Sequence, residues 1–156
     1  MPKKNLYVKE KDLKVFDTAE MVGGDSLSNI VIDALNLYIK EKKIKDEGFD
    51  KITINTGQKE GDTLKIRKVY FYGKFLSGFE YVDDEDVYYN ISIYRTIKDK
   101  ILIYKHISFI GKRKDIYEYF IYDNLELAKE HNYISQEAYD EAIRALENET
   151  MIYLDV

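Results

Sequence analysis

Residues 5–43 run as a short strand, a helix, a turn with two glycines and a second helix. That order constrains the chain most, because a strand so short needs a partner from elsewhere. Asn5-Leu6-Tyr7-Val8-Lys9 alternates apolar and polar residues, the period of a half-buried strand. Asp12 stands where a helix over Leu13 to Val22 would be capped. Gly23-Gly24-Asp25 interrupts that helix, and Ser26 can cap a second one from Leu27 to about Lys43. A lone strand has little stability in water, and the nearest partner is the same strand of a second copy. A two-stranded antiparallel ribbon carried by four helices has the shape that enters a DNA major groove.

The helices themselves call for a second copy. Val15, Phe16, Ala19 and Val22 fall on one face of the first, and Leu27, Ile30, Val31, Ala34 and Tyr38 follow helical spacing in the second. Ile32, Leu35 and Ile39 widen that stripe beyond what one short helix covers. Some 45 residues are also too few to bury a proper core alone. A homodimer or higher oligomer with packed long helices is the expectation.

Charge is distributed unevenly. The net charge is −5, which argues against bulk nucleic-acid binding. Residues 1–47 hold nine Lys and nine acidic side chains, whereas 48–156 hold 15 basic and 20 acidic ones, so the second part supplies the whole −5. Within 1–16, five lysines face two acids, a local balance of +3. The positive charge therefore gathers on the predicted ribbon. Cysteine is absent, which excludes disulfides, a thiol nucleophile and a Cys-based zinc site. No apolar run approaches the roughly 20 residues of a membrane span and no signal-peptide pattern opens the chain, so no membrane partner and a cytoplasmic location are expected.

Past the charged stretch Lys40 to Lys45, Gly48 can end the second helix, which divides the chain into 1–47 and 48–156. The pattern then changes to period two. Lys51 to Thr56 reads as a strand, Gly57 to Asp62 as a turn, and Leu64 to Phe75 as a longer strand. Further strands are expected over Val87–Arg95, Ile101–Phe109 and Ile116–Tyr122. Asp123 is placed to cap a helix over Leu125 to Glu130 and Ser135 one over Gln136 to Glu147, before a possible last strand at Met151 to Val156. The expected fold class is α+β, with an antiparallel sheet and C-terminal helices on one of its faces following the N-terminal unit.

Residues 2–47 resemble a ribbon-helix-helix DNA-binding domain, and the whole chain resembles the bacterial EXLDI family proteins. The matching points are Pro2-Lys-Lys-Asn-Leu-Tyr-Val8, Asp12-Leu13, Gly23-Gly24, Leu27-Ser28 and Glu47-Gly48-Phe49. Tyr94-Arg95-Thr96 ahead of a hairpin, Tyr117 to Leu125 leading into a helix, and the closing Tyr153-Leu154-Asp155-Val156 complete them. The last of these departs from the family's name by one residue. The ribbon-helix-helix resemblance implies that Asn5, Tyr7 and Lys9 face base edges while Leu6 and Val8 point into the dimer core. It also implies that the backbone at Ser26, Leu27 and Ser28 holds a phosphate. The chemistry is sensible, since a helix N-terminus offers unpaired donors, Asn pairs with adenine and Lys donates to guanine. Lys3, Lys4 and Lys11 are further candidates for phosphate contact.

Catalytic signals are weak. His106 and His131 are the only histidines and lie far apart, and no Gly-rich phosphate loop, HExxH or GxSxG occurs. Asp83 to Asp86 reads as a turn rather than a calcium loop, and Lys112-Arg113-Lys114 as a solvated basic turn. The 15 tyrosines are better explained by strand packing than by base stacking. The sequence thus points to a non-enzymatic protein with no cofactor or metal. It would bind double-stranded DNA sequence-specifically as a homodimeric transcriptional repressor. Its second domain would sense a small molecule or bind a protein. The alternative is an antitoxin-like or other interaction module whose first unit mainly dimerises.

Overall fold

The computed structural model describes residues 7–132 and 134–150. The chain forms two compact units that divide between Asp46 and Glu47. The first holds a 3-10 turn at Glu10–Asp12, helix α1 (Leu13–Gly23) and helix α2 (Leu27–Asp46). α1 ends where the Gly24 amide donates to the Glu20 carbonyl at 3.2 Å. Asp12, the expected cap, makes no side-chain capping bond.

The expected ribbon-helix-helix unit is not seen. Tyr7, Val8 and Lys9 belong to no strand, and the Asp12 amide turns back to the Lys9 carbonyl at 2.8 Å. Asn5 and Leu6 lie outside the described residues. Residues 7–9 pair with no strand among the described residues, and a strand that short has little stability without a partner.

The second unit corrects the fold class as well. In place of an open sheet, β1 (Asp50–Glu60), β2 (Thr63–Val82), β3 (Val87–Thr96), β4 (Ile101–Phe109) and β5 (Lys114–Tyr122) form a closed antiparallel barrel. Consecutive strands pair as a meander, and Gly57–Glu60 of β1 then pairs with Lys114–Tyr117 of β5. The strand β2 makes closure possible. Its first half pairs with β1 up to Gly73, its second half pairs with β3 from Gly73 onward, and the register shifts at a bulge between Phe75 and Ser77. Bulges bend a strand and raise its twist. Gly57, expected to open a turn, instead sits inside β1 opposite both Ile66 and Tyr117. Its φ is +114°, and a Cβ there would lie 2.0 Å from the Lys65 carbonyl oxygen, so only glycine fits. The turn itself is at Gly61-Asp62.

The outer barrel face carries the core. Leu76, Ile91, Ile93, Ile101 and Ile103 pack under α3 (Leu125–His131) and α4 (Gln136–Thr150), against Leu125, Ala128, Ala138 and Ala142. The small residues let α4 approach closely enough for the buried Ser77 hydroxyl to donate to the Ala138 carbonyl at 2.7 Å. Asn124, not Asp123, caps α3, accepting from the Leu127 amide at 2.9 Å, while Asp123 pairs with Lys100 at 2.6 Å. Ser135 caps α4 as expected, accepting from the Ala138 amide at 3.2 Å. The alternate residues of β3 and β4 point inward, where the Tyr104 hydroxyl hydrogen-bonds the backbone of Asn55 across the barrel. The final strand expected at Met151 to Val156 lies outside the described residues.

Two substitutions test this architecture. Gly57→Ala forces both a backbone overlap and an unfavourable φ, and is expected to cost about 3 kcal/mol or more in urea unfolding. Gly111→Ala also has positive φ but meets nothing within 4 Å, so it should cost only about 1 kcal/mol. Equal effects would show that barrel closure does not depend on Gly57.

Candidate functional site

Of the residues singled out for DNA contact, Lys3, Lys4 and Asn5 lie outside the described residues. Tyr7, Lys9 and Lys11 are exposed, Tyr7 completely so. Leu27 and Ser28 open α2 and Ser26 stands immediately before it. There the Ser26 hydroxyl accepts from the Asn29 amide at 3.4 Å, and Asp25 Oδ1 accepts from the Ser26 amide at 2.6 Å and from the Asn29 side chain at 3.0 Å. A carboxylate at a helix N-terminus is favoured by the macrodipole. An incoming phosphate would therefore share this end with the Asp25 charge.

The helical unit is apolar without a core of its own. Ile44 is the one buried residue of α1 and α2. Val15, Phe16 and Ala19 of α1 and Leu27, Ile30 and Val31 of α2 line an open apolar groove of about 320 Å³. Leu35, also lining it, and Ile32, Leu37, Tyr38 and Ile39 beyond it are exposed. Apolar side chains around so much of one helix leave more apolar surface exposed than α1 covers.

The barrel brings together a polar cluster that no local pattern announces. Register places Asn90, His106 and Tyr117 in one inner row and Tyr88, Ser108 and Asp115 in the next. His106 Nε2 lies 3.3 Å from Asp115 Oδ1, and its ring stacks on Tyr117 with centroids 4.6 Å apart. Tyr88 donates its hydroxyl to Glu80. The Ser108 hydroxyl bond, then His106, lowers the Asp115 carboxyl from its ordinary 3.8. Burial, and then the Asp115 charge, raises the Tyr117 phenol. An imidazole beside a carboxylate can hold a proton, and the Ser108 hydroxyl hydrogen-bonds the same carboxylate. The cluster ties β3, β4 and β5 together. Sequence reasoning treated His106 as isolated because Asp115 and Tyr117 become its neighbours only once the β4–β5 register is set.

Asp83 behaves as a turn residue: its Oδ1 accepts from the Glu85 and Val87 amides, each at 2.9 Å. Among the described residues no group of acidic or histidine side chains is placed to hold a metal ion, and no helix is long and apolar enough to cross a membrane. Comparison with family models, curated proteins and solved structures finds no match.

The lowered Asp115 value sets a pH dependence. A carboxyl depressed in the folded state contributes stability that is present above 3.8 and is lost as pH falls through its folded value. Asp115→Asn should therefore unfold at lower urea concentration than the parent protein at pH 7, with the gap narrowing below pH 3.8. A gap independent of pH down to 2 would mean that the carboxylate charge contributes nothing.

Proposed function

We propose that the protein is a homodimer that binds double-stranded DNA, acting as a transcriptional repressor. The observation that carries this reading is the apolar surface of α1 and α2, a two-helix unit with one buried residue. Burying each exposed Leu or Ile gains roughly 1.5–3 kcal/mol, so a second copy packed along α2 supplies the core that the unit lacks. The two-fold axis would double the lysines at the start of the chain, where Lys9, Lys11 and Lys14 are joined in sequence by Lys3 and Lys4. Paired lysine sets on a symmetric dimer suit a symmetric duplex. The reading needs no β-ribbon. The likeness to EXLDI family proteins adds no activity to it. The barrel is then the domain that meets a small molecule or another protein.

A second reading is favoured by one observation. Asp25 already occupies the N-terminus of α2, which suits a unit that only dimerises, as in an antitoxin-like or other interaction module.

Sedimentation and DNA titration separate the two. The parent protein should sediment as a dimer, and Leu35→Glu, which places a charge in the apolar face, should raise the dimer dissociation constant at least ~100-fold. The dimer should bind DNA from upstream of its own gene more tightly than random DNA. Lys9→Ala/Lys11→Ala should lower the slope of log K against log salt by about 2, at ~0.9 per lost phosphate contact. A stable dimer without DNA preference would favour the interaction module, and a monomer would remove both.

A further inference from the structure

Barrel closure builds a basic end on a domain that is acidic overall. The β1–β2 hairpin, residues 57–68, carries four basic and two acidic side chains, and the β4–β5 turn, residues 111–115, carries three and one. Far apart in sequence, these segments meet where β1 pairs with β5. The Gly61 amide donates to the Arg113 carbonyl at 2.7 Å, Arg113 Nη2 reaches Asp62 at 3.2 Å, and Lys114 lies 3.9 Å from Glu60. Both hairpin acids thus face cations of the neighbouring turn, and Asp115 faces inward to His106 and Ser108. The joined end has a balance of +4, from seven basic and three acidic residues. The remainder of 48–156 then has 8 basic and 17 acidic residues, a balance of −9.

On this end lies a groove of about 550 Å³ lined by Thr56, Gly57, Leu64, Lys65, Ile66 and Arg67, with two cations and no acid among its lining residues. Gly57 lets the backbone of β1 approach that of Lys65, where a Cβ would lie 2.0 Å from the carbonyl oxygen. Lys65 and Arg67 are exposed and two positions apart in β2, so they share one strand face about 7 Å apart. That step is comparable to the distance between successive phosphates of a nucleic-acid strand.

We propose that this basic end of the barrel is a phosphate-backbone contact for DNA, indifferent to base sequence and separate from the lysines of the first unit. That the polyanion is DNA rests on the function proposed above, whereas the charge and the groove do not. Cations that touch phosphates set affinity and salt dependence without reading bases. The acidic remainder of the domain would repel the duplex elsewhere and so orient it toward this end.

The test compares three variants of the full-length protein on specific and random duplexes across a salt series. Lys65→Ala/Arg67→Ala changes the groove, Lys9→Ala/Lys11→Ala changes the first unit, and Lys98→Ala/Arg144→Ala matches the charge change at exposed sites on other elements. All the altered side chains are exposed, and thermal unfolding checks that each variant folds. The groove variant should weaken binding to both duplexes by the same factor and lower the salt slope by about 2, at ~0.9 per contact. The charge-matched variant should leave the slope within about 0.5 of the parent. If the first-unit variant weakens binding and the groove variant does not, the basic end is no contact and the DNA-binding function stands. If only the groove variant weakens binding, the basic end is the contact and the first unit merely dimerises. Equal losses in the groove and charge-matched variants would reduce the effect to net charge and overturn the proposal. A parent protein that binds neither duplex at low salt overturns both readings.

Discussion

The pairing of four residues of β1 with four of β5 is the constraint on which the second unit depends. Without it both outer strands would present unpaired edges along their whole length, a liability that closure reduces. Gly57 permits this pairing, because the strand bends where the Lys65 carbonyl leaves no room for a Cβ. Closure also decides which charges become neighbours. The lysine-rich turn after β4 reaches the hairpin tip only because β5 lies beside β1.

Closure gives the strands two different environments, and the residues are divided accordingly. Outward isoleucines of β3 and β4 lie under α3 and α4, where alanines allow close helix approach. Inward positions carry Tyr94, Tyr104 and His106, residues with an apolar body and a polar end, suited to an interior that water partly reaches. Tyr94 meets Phe71 and Phe75 edge-on, at centroid separations of 5.5 and 5.6 Å. Tyr81 stacks on Tyr89 at 4.7 Å. Tyr81, Tyr89, Tyr94 and Tyr104 are thus accounted for as barrel packing, whereas Tyr7, Tyr38, Tyr70 and Tyr119 are exposed.

That helical unit is the opposite case. α2 spends its apolar residues on nearly every side, and α1 is too short to cover them. A hydrophobic surface of this kind is costly in water and is retained where a partner meets it. The function proposed here joins two separate observations, an exposed apolar surface on a helical pair and clustered positive charge. Neither fact by itself names DNA. Together they suit a dimer on a duplex, although the Asp25 carboxylate at the head of α2 works against a phosphate there.

Much of the local structure was legible in the sequence. α1 and α2 follow from apolar spacing with Gly24 and Ser26 between them, and β4 from alternation bounded by turns on both sides. Where two caps competed the reading failed: Asp123 stands one place before Asn124, and the ionic bond to Lys100 draws it away. The length of β2 was hidden because Leu76-Ser77-Gly78 breaks the alternation at the bulge. The strand expected over Asn5–Lys9 failed in the described residues because periodicity records a willingness to pair, not a partner. What the sequence alone determined was the helices and the greater part of the barrel strands, since period, caps and turns act between residues a few positions apart. Only the tertiary structure decided that the sheet closes, that His106 meets Asp115, and that two basic turns form one end. Those contacts join residues widely separated along the chain, and their stability exists only once every intervening strand is in register.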